Sequence, residues 1–268
     1  LSAQCTEVDV VTGMMCVVSA PDCALISGGS GSDHRQDGVN IPSTRGDSPG
    51  VWEGVVPSIT NGSVYKCHIA SGYNGYSVGK ADPMALVSEM PPKTASVVHT
   101  LNHQWNDSDW MAKRAKHNAL DAPYSVYEVH PGSWRRNSDE ENRYLTYKEL
   151  AVELTAYVKE MGFTHVELMP IMTHPFYGSW GYQSLGYFSP TARYGSPEEL
   201  MYLIDTLHPN GIGVILHWVP SHFPTDEHGL GFFYATPLSE PPPPTKGLHP
   251  DSRTLPLNPL PQEHRSFL

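Results

Sequence analysis

One stretch decides the fold of this chain: Gly211-Ile-Gly-Val-Ile-Leu-His-Trp-Val-Pro-Ser-His-Phe-Pro224. Its apolar run at residues 214–216 lies between glycine and proline residues, which is typical of a short parallel strand covered on both faces. His217 and His222 follow where this strand ends. Because (β/α) barrels place their functional groups in the loops after the carboxyl ends of the strands, we expect both histidines at such a site.

The segments before this stretch predict alternating strands and helices. Two further strands are predicted at residues 124–130 and 163–170, and the second of them runs into a loop rich in aromatic residues. Capping boxes at Thr146-Tyr-Lys-Glu149 and Ser196-Pro-Glu-Glu199 mark the starts of two helices between the strands. The resulting β-α-β-α-β order from about residue 124 to 220 implies a parallel sheet.

The first half of the chain instead predicts a β-sandwich, because it has no helical periodicity. Short apolar-polar runs separated by turn residues occur at residues 8–11, 15–18, 24–26, 51–56 and 64–69. The glycine-rich run at residues 28–33 predicts a flexible loop. Trp52 and Trp105 are either carbohydrate-stacking platforms or, as is commoner for a tryptophan in a strand pattern, part of the core.

Composition limits the classes of binding partner and the cellular compartment that fit this chain. The chain has 17 basic and 28 acidic residues and a formal charge of −11, which argues against nucleic acid as a partner. No apolar run has the length of a membrane span, and residues 14–20 are interpreted as a strand rather than a signal peptide. The four cysteines, without a CxxC pair, are expected to be reduced thiols at strand positions, as in a cytoplasmic protein.

Four motifs in order carry a resemblance to a known family. They are Tyr127-Glu-Val-His-Pro-Gly-Ser-Trp134, Thr164-His-Val-Glu-Leu-Met-Pro170, Gly178-Ser-Trp-Gly-Tyr-Gln183 and the stretch at residues 211–224. With them the chain resembles the 1,4-α-glucan (glycogen) branching enzymes of the α-amylase superfamily. The segments at residues 50–54, 80–83, 91–96 and 109–112 are similar to the β-sandwich module that precedes the barrel in that family.

The resemblance implies a domain organisation. It implies a carbohydrate-binding type of β-sandwich at residues 1–118, the first three units of a (β/α)8 barrel at residues 119–240, and a tail at residues 241–268. The prolines at 241–244 and within 255–261 favour a polyproline-type or disordered tail over a proline-rich docking ligand.

The resemblance also implies an α-1,4-glucan partner and names the candidate substrate-binding residues. Tyr182 matches the family tyrosine that stacks on the sugar ring, and His222 matches the histidine that hydrogen-bonds the hydroxyls of that sugar. Trp180 and Gln183 are weaker candidates, whose alternative role is to hold the loop in shape. His217 stands where the family has an aspartate, so a site built for an anion carries an imidazole.

No metal, cofactor or catalytic residue is expected in this chain. The spacing of His217, His222 and His228 across prolines does not place them on one helical face, and the resembling family needs no metal. Its nucleophilic Asp and general-acid Glu would lie beyond residue 268. Retaining glycosidic chemistry needs two carboxyl groups about 5 Å apart, and the sequence shows no candidate pair.

Three functions remain open on the sequence. The first is a truncated branching enzyme, inactive as it stands, and the second is a non-catalytic α-glucan-binding protein. The third, another α-amylase relative such as a debranching or trehalose-releasing enzyme, is disfavoured by the motif at residues 178–183.

Overall fold

The computed structural model describes residues 59–70 and 75–233 continuously. Outside these ranges it describes the backbone of seven short strands, at residues 3–7, 14–19, 24–29, 39–42, 44–45, 51–56 and 254–256.

The N-terminal part forms two antiparallel sheets. Its strands are β1 (Ala3–Glu7), β2 (Met14–Ser19), β3 (Ala24–Gly29), β4 (Val39–Pro42), β5 (Thr44–Arg45), β6 (Val51–Val56), β7 (Val64–Ala70), β8 (Ser77–Lys80), β9 (Val87–Ser88) and β10 (Ser96–Val97). One sheet has the order β1-β2-β6-β5, and the other has the order β4-β3-β7-β10-β9 with β8 also paired to β7. Two antiparallel sheets are the layers that a β-sandwich requires.

Most of the strands predicted in this part are confirmed. The runs at residues 15–18, 24–26, 51–56 and 64–69 fall within β2, β3, β6 and β7. The run at residues 8–11 lies outside the described residues, and β1 precedes it. Cys5 and Cys16 face each other as Cα partners of β1 and β2, and Cys67 is a buried free thiol in β7.

The predicted glycine loop is wrong at its first two residues. Gly28 pairs with Val39 on one side and with Tyr65 on the other, and Gly29 pairs with Val64, so both glycines belong to β3. A glycine backbone offers the same hydrogen-bonding groups as any other residue, and neighbouring strands on both sides override its flexibility. Residues 30–33 lie outside the described part.

A helix in the first half was not predicted. The helix α1 (Ser108–His117) has one buried residue, Trp110. The Trp110 ring stacks on His208 at a centroid distance of 5.1 Å, and the Nδ1 atom of His208 lies 2.7 Å from the Asp107 carboxylate. A helix with a single buried side chain carries almost no periodic signal, so its place is set by contacts with residues about 100 positions away.

The second part is a three-stranded parallel sheet with helices between the strands, as the sequence predicts. Its elements are β11 (Val126–Val129), α2 (Pro131–Trp134), β12 (Arg136–Asn137), β13 (Arg143–Tyr144), α3 (Tyr147–Met161), β14 (His165–Leu168), β15 (Met172–Thr173), β16 (Gly186–Pro190), α4 (Pro197–Leu207) and β17 (Gly213–Leu216). The strand order is β11-β14-β17. Both β11 and β17 run parallel to β14.

Both predicted capping boxes are confirmed. The Thr146 side chain accepts from the Glu149 backbone N–H, and the Glu149 carboxylate accepts from the Thr146 N–H at 2.7 Å. Ser196 and Glu199 form the same reciprocal pair at the start of α4. These bonds satisfy N–H groups that a helix start otherwise leaves unpaired, which explains why the two helices begin where they do.

The apolar faces of α3 and α4 pack against one face of the sheet. Fully buried residues of α3, α4, β14 and the loop before β17 share one core: Leu150, Leu154, Val158, Leu203, Leu207, Val166, Leu168 and Ile212. The other face of the sheet carries the alternate residues of each strand, because side chains of a strand point to opposite faces in turn.

Part of the tail is also a strand, contrary to the prediction of a polyproline-type or disordered segment. The strand β18 (His222–Pro224) pairs antiparallel with β19 (Thr254–Pro256), and Phe223 is opposite Leu255. Each of these strands has its proline at the last position, so the preceding residues keep their N–H groups for the ladder. Residues 241–244 lie outside the described part.

The two parts are joined by polar contacts around one buried lysine. The Lys80 ammonium, at the end of β8, donates to the carbonyl oxygens of Glu227 at 2.6 Å and Gly231 at 2.7 Å. The Ala81 N–H donates to the His228 carbonyl at 2.9 Å. Among the described helices, none is long and apolar enough to cross a bilayer.

Candidate functional site

The candidate site lies at the carboxyl ends of β11, β14 and β17. Glu128 and Glu167 are neighbours in register on β11 and β14. The His217 N–H donates to the Leu168 carbonyl at 3.0 Å, which continues the ladder one residue past β17. Since Glu167 pairs with Ile215, His217 lies two residues along the same face. One ligand atom of each of Glu128, Glu167 and His217 lies within 4.8 Å of the others.

A tight turn brings the aromatic loop over these strand ends. After the short 3₁₀ helix Tyr177–Ser179, Trp180 and Gly181 both adopt positive φ, of 54° and 86°. A side chain at Gly181 would meet the carbonyl oxygen of Pro170 well inside van der Waals contact, so only glycine fits there. The Ser184 hydroxyl donates to the Gly181 carbonyl at 2.8 Å and holds the turn closed.

This turn places Tyr182 against His217. Their ring centroids are 5.2 Å apart at an interplanar angle of 85°, and the Tyr182 hydroxyl lies 3.4 Å from the His217 Nδ1 atom. Burial raises the pKa of Tyr182, and the negative charges of Glu128 and Glu167 raise it further. The His217 Nδ1 atom is 3.6 Å from a Glu167 carboxylate oxygen, so the imidazole has a carboxylate on one side and a phenol on the other.

His222 joins the same group through the loop backbone. Its Nε2 atom donates to the Tyr182 carbonyl at 2.8 Å, and its Nδ1 atom lies 3.2 Å from the Ser221 hydroxyl. One ring nitrogen is therefore used to hold the loop that carries Tyr182. The contact of His222 with sugar hydroxyls stays a prediction. In that contact the Nδ1 atom of His222 would face the sugar.

Trp180 and Gln183 sit at the rim of the loop. Trp180 is half exposed, and its ring centroid is 5.9 Å from that of His130 at the end of β11. Gln183 is half-buried between Tyr182 and the buried Ser184. Trp105 is about half exposed and meets His103 edge-on at a centroid distance of 4.8 Å. The side chain of Trp52 lies outside the described part.

Two members of the site were missed by the sequence reasoning. Glu128 and Glu167 each lie inside an apolar strand, in Val-Tyr-Glu-Val and His-Val-Glu-Leu, where a charged residue is unusual and could have drawn attention. The sequence showed no candidate pair of carboxyl groups, and the strand register is what places these two side by side. The three potential ligands that the described residues bring together include His217 but neither His222 nor His228.

A second concave region lies between the two parts of the chain. This cavity of about 240 Å³ is bounded by residues 81–95 on one side and by residues 173–186 and 226–230 on the other. His174, one of its lining residues, is buried and donates from Nδ1 to the Met172 carbonyl at 2.8 Å. Burial, with the nearby charges of Arg193 and His130, lowers the pKa of His174 to about 4.

Comparisons with known protein families divide the chain in the same way as its fold. Residues 29–85 match the family model of carbohydrate-binding module 48, the isoamylase N-terminal domain. Residues 151–231 match the model of the alpha amylase catalytic domain. A crystal structure from Salmonella typhimurium, provisionally described as an alpha amylase, superposes with a TM-score of 0.67 at 20% identity. It covers 90% of this chain and 37% of its own, and it supports the fold alone.

Individual relatives are much closer in sequence. The 1,4-alpha-glucan branching enzyme GlgB of Albidiferax ferrireducens is 50% identical over 94% of this chain and 40% of its own length. The enzyme of the same name from Aquifex aeolicus is 56% identical over 84% of this chain and 35% of its own length. That of Pseudomonas putida is 48% identical over 99% of this chain and 36% of its own length.

This chain therefore spans little more than a third of the length of these relatives. The identity is close to one residue in two and extends over nearly the whole sequence, through the strand ends, the Tyr182 loop and the N-terminal sheets. Over that length the chain is a homologue of the 1,4-alpha-glucan branching enzymes of the alpha-amylase superfamily.

Proposed function

We propose that this chain is the part of a 1,4-α-glucan branching enzyme that holds the glucan at the strand ends. In that enzyme an α-1,4 bond is broken and the released chain is passed to a 6-hydroxyl, so glycogen gains an α-1,6 branch. The observation that carries the proposal is the convergence of Tyr182, His217 and His222 on one edge of the parallel sheet, in a homologue of the branching enzymes.

The chemistry of these groups suits a sugar. Tyr182 is only partly buried, so its ring can take the apolar face of a pyranose. The imidazoles of His217 and His222 can each donate or accept, which matches the hydroxyl groups of glucose. We assign Trp180 and Gln183 to the rim of this subsite, where they shape the loop.

We further propose that the described residues do not include the catalytic pair. Retaining glycosyl transfer places its two carboxyl groups about 5 Å apart on either side of the scissile bond. Glu128 and Glu167 lie side by side on neighbouring strands of the sheet. We do not assign them as the catalytic pair, because the resembling family combines an aspartate with a glutamate, whereas both residues here are glutamates.

The domain organisation and location follow the same proposal. Residues 1–118 would form a carbohydrate-binding β-sandwich, residues 119–240 the first three units of a (β/α)8 barrel, and residues 241–268 a tail. Because the resembling enzymes act on glycogen, we place the protein in the cytoplasm.

A second function, a non-catalytic α-glucan-binding protein, is favoured by one observation. His217 stands at the position where the resembling family has an aspartate, and it lies within 3.6 Å of Glu167. An imidazole in place of the family's carboxylate removes a negative charge from this position, which changes the electrostatics on which catalysis would depend.

Glucan binding is tested by affinity electrophoresis of the chain in gels that contain glycogen or amylose. We expect retardation that Tyr182→Ala weakens at least about fivefold in Kd, since an aromatic platform contributes about 1 kcal/mol or more. Tyr202→Ala, which removes an exposed tyrosine from α4, is the matched control and should bind as the parent does. Equal retardation of both variants would remove Tyr182 from the glucan site.

Branching itself separates the two functions. The chain alone should leave the iodine stain of amylose unchanged. Joined in frame to the remaining two thirds of the Aquifex aeolicus relative, it should branch amylose if the first function is right. Glucan binding without branching in that fusion supports the second function, and branching by the unfused chain would contradict the proposed lack of a catalytic pair.

A further inference from the structure

The site contains more ionisable groups than a sugar contact requires, namely those of Glu128, Glu167 and His217. Two carboxylates and an imidazole meet at one point on the sheet, yet neither carboxylate has a lysine or arginine partner within residues 59–70 and 75–233. The one ion pair that either makes in this part of the chain is the contact of Glu167 with His217 at 3.6 Å. We propose that these three side chains bind one first-row divalent metal ion, with Zn²⁺ preferred.

The backbone fixes the direction from which the three ligands approach. Glu128 and Glu167 occupy adjacent positions of a parallel ladder, so the register of β11 and β14 keeps their Cα atoms side by side. The hydrogen bond from the His217 N–H to the Leu168 carbonyl keeps the third ligand on the same edge. A site whose ligands come from regular strands is more rigid than one built from loops.

The distances suit a small ion. Ligand atoms about 2.0–2.2 Å from a tetrahedral ion are about 3.4 Å apart. In the structure, which contains no ion, the three ligand atoms lie within 4.8 Å of one another. Glu128 is exposed and Glu167 is half-buried, so rotation of their side chains can close the remaining gap.

The donor set selects the class of metal. Calcium and magnesium prefer oxygen ligands alone, whereas an imidazole with carboxylates suits Zn²⁺ and its first-row neighbours. Three protein ligands leave a fourth position open. The Tyr182 hydroxyl lies 3.4 Å from the His217 Nδ1 atom and would be able to hydrogen-bond a water bound to the ion.

This inference does not depend on the proposed function. It concerns the side chains of this chain alone and holds whether or not the chain binds glucan. His217 makes it specific to this sequence, because the aspartate of the resembling family would give an all-oxygen site.

Metal binding is tested by calorimetric titration of the 268-residue chain with ZnCl₂ after treatment with chelator. Titrations with MgCl₂ and CaCl₂ serve as comparisons. We expect one Zn²⁺ per chain and at least about tenfold weaker binding of that ion after either Glu128→Gln or His217→Ala, since each removes one ligand. The control variants are His68→Ala, in the N-terminal part, and Glu160→Gln, on the exposed side of α3. Both should bind as the parent does.

Two further measurements distinguish metal binding at this site from unfolding of the variants or binding elsewhere. Co²⁺ should replace Zn²⁺ and give a visible absorption band that His217→Ala abolishes, while circular dichroism verifies that each variant is folded. His217→Asp should lose the preference for Zn²⁺ over Ca²⁺, because all three ligands are then oxygen. The proposal is overturned if the parent binds no Zn²⁺, if Glu128→Gln and His217→Ala bind it as the parent does, or if His217→Asp keeps the parent's selectivity.

Discussion

Replacement of Gly181 by alanine should be among the most damaging single-methyl changes in the candidate site. Gly181 has φ of 86° and carries the chain directly into Tyr182. An added Cβ would meet the Pro170 carbonyl oxygen and would lie 2.9 Å from the Pro170 side chain. Because the obstacle is backbone at the end of β14, the loop rather than the obstacle must move.

The size of the effect follows from two contributions. An alanine at positive φ costs about 1–2 kcal/mol relative to glycine. The steric conflict with a packed backbone adds about 1–3 kcal/mol, the usual range for overpacking. We therefore expect Gly181→Ala to lower the free energy of unfolding by about 2–5 kcal/mol, a large share of the ~5–15 kcal/mol that stabilises a typical domain.

Gly211→Ala provides the matched control. Gly211 has a similar φ of 78°, but an added Cβ there has nothing within 4 Å. Both changes restrict the unfolded chain equally, so this effect cancels in the comparison. Urea unfolding followed by tryptophan fluorescence should place Gly181→Ala about 1–3 kcal/mol below Gly211→Ala. Glycogen retardation should fall for Gly181→Ala only.

Equal stability of the two alanine variants would refute this account of the turn. It would mean that the Tyr182 loop does not pack against Pro170, and the position of Tyr182 over the strand ends would have to be abandoned with it.

Two other predictions concern stability. Thr146→Ala removes the N-cap of α3 and should lower the free energy of unfolding by about 1 kcal/mol. The control Thr206→Ala, on the exposed side of α4, should lower it much less. Equal urea midpoints of the two variants would argue against the capping box. His174 is buried with a pKa of about 4 against an ordinary 6.5, so the unfolded chain takes up its proton first as the pH falls. Its contribution is complete above about pH 6.5, is lost progressively down to about pH 4, and amounts to about 3 kcal/mol. Urea titrations at pH 7.5 and 4.5 should therefore show a smaller loss for His174→Gln than for the parent, and identical losses would contradict a buried neutral imidazole.

The sequence was informative wherever the determining contacts are local. A capping box joins residues three apart, so Thr146 and Ser196 could be identified as helix starts without knowledge of the tertiary structure. The apolar run before His217 predicted a strand and the point at which it ends, because periodicity and a following proline are properties of neighbouring residues. Tyr182 and His222 were singled out by motifs, and the hydrogen bond from His222 to the Tyr182 carbonyl brings them together.

What escaped the sequence depends on contacts between distant segments. The helix α1 is fixed by Trp110 against His208, and the strand β19 by its pairing with β18, and neither contact leaves a periodic pattern in its own segment. Gly28 joined a strand because two neighbours hydrogen-bond its backbone.

By itself the sequence determined the order of strands and helices, the starts of α3 and α4, and the presence of His217 and Tyr182 at strand ends. Only the tertiary structure decided that Glu128, Glu167 and His217 meet. Glu128 and Glu167 lie 39 residues apart along the chain and His217 another 50 beyond, and a shift of the parallel register by one residue would turn a carboxylate to the opposite face. That register is set by the burial of Val166, Leu168 and the apolar faces of α3 and α4 on the other side of the sheet, a long-range packing balance that no short stretch of sequence contains.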